Sequence, residues 1–122
     1  MKILIVDDEV LVRRSLSRAF QSRGHEIYEA ADGEAGLQAW LKYQPELIML
    51  DVLMPKLTGP QVLRELGNKK TGKVILMSAY GGDHNIQTSL EIGADLFIAK
   101  PFENVFDVVA TAEGILAGQQ KE

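Results

Sequence analysis

Leu47-Ile48-Met49-Leu50-Asp51 is the stretch on which the fold turns. Four apolar side chains stand in a row, and a carboxylate ends the run. A strand with one wet face alternates apolar and polar residues. A strand that is apolar at every position has both faces covered, which is the condition inside a parallel sheet. The same pattern lies on either side. Ile3-Leu4-Ile5-Val6 runs into Asp7-Asp8-Glu9. Lys73 to Ser78 carries Val74-Ile75-Leu76-Met77, and Leu96 to Lys100 carries Leu96-Phe97-Ile98-Ala99. His25 to Ala30 reads as a further strand.

Between these runs the period changes to that of a helix. Roughly Glu9 to Arg23 places Val12, Leu16, Ala19 and Phe20 on one side and Arg13, Arg14, Arg18 and Arg23 on others, and Gly24 stops it. After the Asp32-Gly33 turn, Glu34 to Tyr43 is helical, with Pro45 beyond its end. Pro60 suits the first turn of a third helix, where its missing N–H costs nothing. A short fourth helix is expected from about Asp83 to Ile92, and a last one from Glu103 to about Ala117. Five strands alternating with five helices, joined by right-handed crossovers, predict a doubly wound α/β domain with a five-stranded parallel sheet. In such a sheet the site lies beyond the carboxyl ends of the strands, where strand order reverses.

The 122 residues fit one domain spanning 1–122, with no repeat or linker. Lys and Arg number 13 against 17 Asp and Glu, a net charge of −4 that argues against a nucleic-acid binder. No apolar run exceeds four residues, too short to span a membrane. Asp7, Asp8 and Glu9 stand where a signal peptide would not place acids. The absence of cysteine excludes disulfides and thiolate metal sites and fits a reducing compartment, so the expected location is the cytoplasm.

The strand ends carry the chemistry. Strand 1 ends in Asp7-Asp8, strand 3 in Asp51, strand 4 in Ser78 and strand 5 in Lys100-Pro101. A single Asp after a strand is usually a turn residue or helix cap. Three carboxylates, a hydroxyl and an ammonium on one rim are harder to set aside. Clustered carboxylates repel one another, and a hard divalent cation such as Mg²⁺ relieves this. With that charge met, one carboxylate can attack a phosphoryl donor while the lysine neutralises the transferring oxygens. Asp51, on a central strand, is the expected nucleophile, with Asp7 and Asp8 as metal ligands.

The motifs ILIVDDE (3–9), LIMLDVLMP (47–55), ILMSAYG (75–81) and GADLFIAKPF (93–102) make the chain resemble the response regulator receiver domains of bacterial two-component signalling, chemotaxis regulators included. The resemblance implies a flavodoxin-like (βα)5 fold with strand order 2-1-3-4-5. It implies Asp51 as phosphoacceptor and Mg²⁺ held by Asp7, Asp8, Asp51 and the backbone carbonyl of Leu53. Ser78 and Lys100 then bind the phosphoryl group, Ser78 and Phe97 act as the switch pair, and a cis bond precedes Pro101. It implies a module that is not an enzyme beyond autocatalytic phosphoryl gain and loss. Its partners would be a histidine kinase or phosphotransfer protein, and an output protein or domain on the surface of helix 4, strand 5 and helix 5. A phosphorylation-dependent homodimer is a further implied partner. Leu53 and Tyr80 stand where the family shapes access of the attacking water, and are expected to shield the phosphoryl group.

Some features depart from that pattern. Pro60 after Gly59 rigidifies the start of helix 3. From Val74 to Gln120 the only Lys or Arg is Lys100, against the acids Asp83, Glu91, Asp95, Glu103, Asp107 and Glu113. The salt-bridged dimer of winged-helix regulators is therefore not expected. The apolar stripe of the last helix, with Val105, Val109, Ala112 and Leu116 as its core face, is wider than packing on one sheet requires. Val108 and Ile115 are therefore expected to be partly exposed as output surface.

An alternative is a phosphatase of the haloacid dehalogenase kind using Asp51 as nucleophile, but Leu53 stands where such an enzyme wants a second acid. A flavodoxin-like cofactor carrier suits the acidic rim poorly. The near-P-loop from Gly67 to Lys73 precedes a strand and reads as a basic loop. His25 and His84 read as surface residues, and Trp40 as core.

Overall fold

A computed structural model describes residues 1–78 and 93–118. Five parallel strands form one sheet: β1 (Lys2–Val6), β2 (Glu26–Ala30), β3 (Leu47–Asp51), β4 (Lys73–Ser78) and β5 (Leu96–Ala99). Their order is β2-β1-β3-β4-β5, as the resemblance implies. The helices are α1 (Val10–Gln21), α2 (Gly33–Tyr43), α3 (Gly59–Leu66) and α4 (Val105–Leu116), with a 3-10 turn at Gly67–Lys69. The expected helix from Asp83 to Ile92 lies outside the described residues, as do Tyr80 and His84; α4 is thus the last helix of the sequence reading.

The uninterrupted apolar strands serve two cores. Leu4, Val6, Ile48, Leu50, Val74 and Leu76 point to one face, with Trp40 of α2 and Val62, Leu63 and Leu66 of α3. Ile3, Ile5, Leu47, Met49, Ile75 and Met77 point to the other, with Leu16 and Phe20 of α1 and Val109 and Ala112 of α4. Each fully buried side chain of this size contributes about 1.5–3 kcal/mol, so the alternation fixes register as firmly as the hydrogen bonds do. Trp40 is buried, and its indole N–H donates to the Thr71 carbonyl.

Caps set the helix starts near the rim. Asp32 accepts from the Ala35 amide at 2.8 Å. Thr58 and Gln61 form a reciprocal capping box, with Pro60 in the first turn as its ring favours. Asn104 accepts from the Phe106 amide. Glu9, at the start of α1, makes no side-chain cap.

Two expectations are corrected here. Val108 and Ile115 are buried, 6% and 3% exposed, and Phe106 is the exposed large apolar residue of α4 at 60%. The width of the stripe has a structural use. α4 packs on the sheet and on α1 together, so both flanks of the stripe are consumed within the chain. His25 is also largely covered. Its Nε2 lies 2.9 Å from Glu113 of α4, and its ring stands edge-on to Phe20.

Candidate functional site

Reversal of strand order between β1 and β3 opens a crevice at their carboxyl ends. Asp7 follows β1 directly and Asp51 closes β3, so both carboxylates stand at its lip, 0% and 4% exposed as residues. Asp8, the next residue, is exposed. One carboxylate oxygen from each of Asp7, Asp8 and Asp51 lies within 4.8 Å of the others. Among the described residues these are the acids placed to share a cation.

Lys100, one residue beyond β5, reaches across to them. Its Nζ donates to Asp7 Oδ2 at 2.9 Å and Glu9 Oε1 at 2.8 Å, and lies 3.5 Å from Asp51 Oδ2. The peptide bond before Pro101 is cis, as expected. Ser78 ends β4, and its predecessor Met77 is in register with Asp51. Ser78 is buried, 1% exposed. Phe97 is in register with Leu76 and is half-buried against the core beneath α2 and α3. Leu53 is 47% exposed.

The electrostatics follow from this crowding. Burial pushes the Asp51 pKa up, and the neighbouring Asp7 and Asp8 add to it while Lys100 opposes, leaving it at about 7. Burial disfavours the Lys100 charge, but hydrogen bonds to Glu9 and Asp7 and the charges of Asp51 and Asp7 outweigh it, raising its pKa above the ordinary lysine value.

The backbone is fitted to the site. A Cβ on Gly59 would sit 2.6 Å from the Asp51 carbonyl oxygen, and the Gly59 amide donates to the Val52 carbonyl at 2.8 Å. Only glycine lets α3 begin this close to the end of β3.

Two residues of the site had no role assigned from sequence. Arg13 Nη1 donates to the Asp7 backbone carbonyl at 2.8 Å, and its Nε to Glu29 at 2.9 Å. A backbone acceptor leaves no mark in a sequence. In the sequence Glu9 starts a helix and closes the ILIVDDE motif, and neither feature places it beside Lys100, 91 positions away.

Fold and rim together define a flavodoxin-like α/β domain with a carboxylate and lysine site at its switch point. Comparison with known proteins agrees and is more specific. Residues 3–110 match the family model described as response regulator receiver domain. The chain belongs to this receiver domain family, a signalling module rather than a family of catalytic enzymes. It is 43% identical over 101 residues to "Probable transcriptional regulator ycf27" of Cyanophora paradoxa, covering 83% of this chain and 42% of that one. The chain thus spans less than half the length of that relative. It is 38% identical over 103 residues to sporulation initiation phosphotransferase F of Bacillus subtilis, covering 84% of this chain and 83% of that one. Among solved structures, the CheX-CheY-BeF3-Mg²⁺ complex from Borrelia burgdorferi includes a chain that superposes with TM-score 0.85 at 31% identity, covering 94% of this chain and 88% of that one. The match falls on the receiver reading and lends nothing to the phosphatase alternative.

Proposed function

We propose that this chain is a phosphoacceptor switch. Asp51 takes a phosphoryl group from a phosphohistidine on a kinase or phosphotransfer protein, and the change reaches a partner-binding surface around β5 and α4. The observation that carries this reading is the buried Asp51 carboxylate, 3.5 Å from the Lys100 ammonium and clustered with Asp7 and Asp8.

Mg²⁺ fits the donor set. The oxygens are hard and converge; burial, with repulsion from Asp7 and Asp8 added, already raises the Asp51 pKa, a cost that a cation offsets. Asp7, Asp8, Asp51 and the Leu53 carbonyl are the residues to hold it. Bound there, it supplies positive charge to the Asp51 carboxylate and to phosphoryl oxygens. The Borrelia burgdorferi complex is one with BeF3 and Mg²⁺, and the acidic cluster of this chain suits the same pair.

The chain's own residues do the rest. An Asp51 oxygen attacks phosphorus in line. The P–N bond to the donor imidazole breaks, its electron pair stays on nitrogen, and a mixed anhydride forms on Asp51. The Lys100 ammonium and the Ser78 hydroxyl each donate to a phosphoryl oxygen. Movement of Ser78 toward that oxygen, with Phe97 turning inward beside it, passes the change to β5.

Beyond β5, a groove of about 310 Å³ is lined by Ile98, Phe102, Glu103, Asp107 and Val108 among others. With Phe106 exposed nearby on α4, it suits an output protein or domain that brings apolar and basic side chains. Among the described residues no helix is long and apolar enough to cross a membrane, and a cytoplasmic setting with a cytoplasmic kinase domain suits the reading.

The test is direct. Acetyl phosphate with Mg²⁺ adds one phosphoryl group by intact mass, and Asp51→Asn takes none. Equal labelling of that variant overturns the assignment.

A further inference from the structure

Glu9 stands outside the cation-binding trio yet holds the lysine that the reaction needs. Three hydrogen bonds make a closed ring. The Glu9 amide donates to Asp7 Oδ1 at 2.8 Å, Lys100 Nζ donates to Asp7 Oδ2 at 2.9 Å, and the same Nζ donates to Glu9 Oε1 at 2.8 Å. Asp51 lies farther from the ammonium, at 3.5 Å. Two of the three Lys100 protons are therefore committed to groups other than the phosphoacceptor. Asp7 is fully buried and fixed. The Glu9 carboxylate is 61% exposed, does not cap α1, and is the partner that can leave at least cost.

We propose that Glu9 holds Lys100 in the unphosphorylated protein and is displaced by the phosphoryl group, so that this pair sets how readily Asp51 is phosphorylated. The inference rests on the phosphoacceptor reading above. A phosphoryl group on Asp51 brings nearly two negative charges and three acceptor oxygens beside the ammonium. Lys100 exchanges Glu9 for one of them, and the like charge of the phosphoryl group repels the freed carboxylate. Any interaction present only before phosphorylation opposes it. Glu9 is then a positioning residue that acts through Lys100. Its release also frees the start of α1, where Val10 and Leu11 are 53% and 83% exposed.

The experiment measures beryllium trifluoride affinity at saturating Mg²⁺ for wild type, Glu9→Gln and Glu9→Asp. An ion pair open to solvent on one side contributes little, so Glu9→Gln should bind about two- to fivefold tighter. Glu9→Asp keeps the charge but is one methylene shorter, and should also bind tighter because it cannot reach Nζ from the same backbone. A second readout is the Lys100 ammonium resonance, which should be protected from exchange in the metal-free wild type and lose protection in both variants. The proposal is overturned if the variants bind beryllium trifluoride no more tightly than wild type, or if only Glu9→Gln does, since that pattern reports a general field and not a held lysine. Failure of wild type itself to bind would instead overturn the phosphoacceptor reading.

Discussion

Asp51 is the residue at which the protein works against its own stability. Its pKa is raised from the usual 3.8 to about 7, so in the metal-free fold it takes up a proton as pH falls through 7, while the unfolded chain does so only near 4. The folded state binds more protons in that window, so stability falls as pH rises from about 4 to 7 and stays low above it. Asp51→Asn removes that cost. In metal-free buffer the variant should be more stable than wild type by about 1–2 kcal/mol at pH 8, and the gap should close toward pH 4. Thermal melts across pH decide it, and a gap independent of pH would show that the carboxylate is not the cause. Arg13 makes the complementary case. It is the donor to the Asp7 carbonyl, and its side chain is 12% exposed. Arg13→Ala should cost about 1–3 kcal/mol, the price of an unsatisfied buried acceptor, and weaken Mg²⁺ binding because Asp7 loses its anchor. Unchanged Mg²⁺ affinity by calorimetry would confine Arg13 to its pair with Glu29.

At the scale of elements, two junctions bear on the site. α3 begins against β3 at Gly59, with no room for a Cβ beside the Asp51 carbonyl. Gly59→Ala should cost about 1–3 kcal/mol and slow phosphorylation, because β3 must shift to accept it. Thr58→Ala, which removes only the capping box, should cost about 1 kcal/mol and leave phosphorylation near wild type. α4 is the other junction. Ile115 sits in the core shared with α1 and the sheet, so Ile115→Ala should cost about 2–4 kcal/mol, whereas Phe106→Ala should stay within about 0.5 kcal/mol. Urea melts separate the two. The rotation of α4 was not legible in its own residues, because its apolar stripe does not say how many neighbours cover it. The covering neighbour, α1, lies some 90 positions earlier, and the Arg23 and His25 contacts that fasten Glu113 come from the same region. The strands were legible for the opposite reason. A strand buried on both faces admits no polar residue along its length, so Ile3 to Val6 and Leu47 to Leu50 announce themselves, and their ends place Asp7, Asp8, Asp51, Ser78 and Lys100 on one rim. What the strand ends do not give is pairing within the rim, which is why Arg13 and Glu9 emerge only in three dimensions.

For the whole molecule, the acids beyond β4 are not a uniform face. Asp95 accepts from the Val74 amide and Glu113 is held by Arg23 and His25, so both serve the fold, while Glu103 and Asp107 remain at the groove. Charge at the rim is different in kind, because nothing among the described residues fully answers it. Among the described residues Asp7, Glu9 and Asp51 share one ammonium, and Asp8 is clustered with Asp7 and Asp51. A cation that binds only the folded form stabilises it by mass action, about 1.4 kcal/mol at ten times its dissociation constant, or about 3–6 °C for a domain of this size. The carboxylate proposed to hold the cation is also the one that takes up the proton, so the two would compete. Mg²⁺ should therefore raise the melting temperature at pH 8, where Asp51 is ionised, and much less at pH 5.5, where the proton occupies it. Asp8→Ala should abolish most of the gain at pH 8, and Ca²⁺ or Na⁺ at equal ionic strength separates specific coordination from screening. An equal gain at both pH values would place the cation somewhere other than on Asp51.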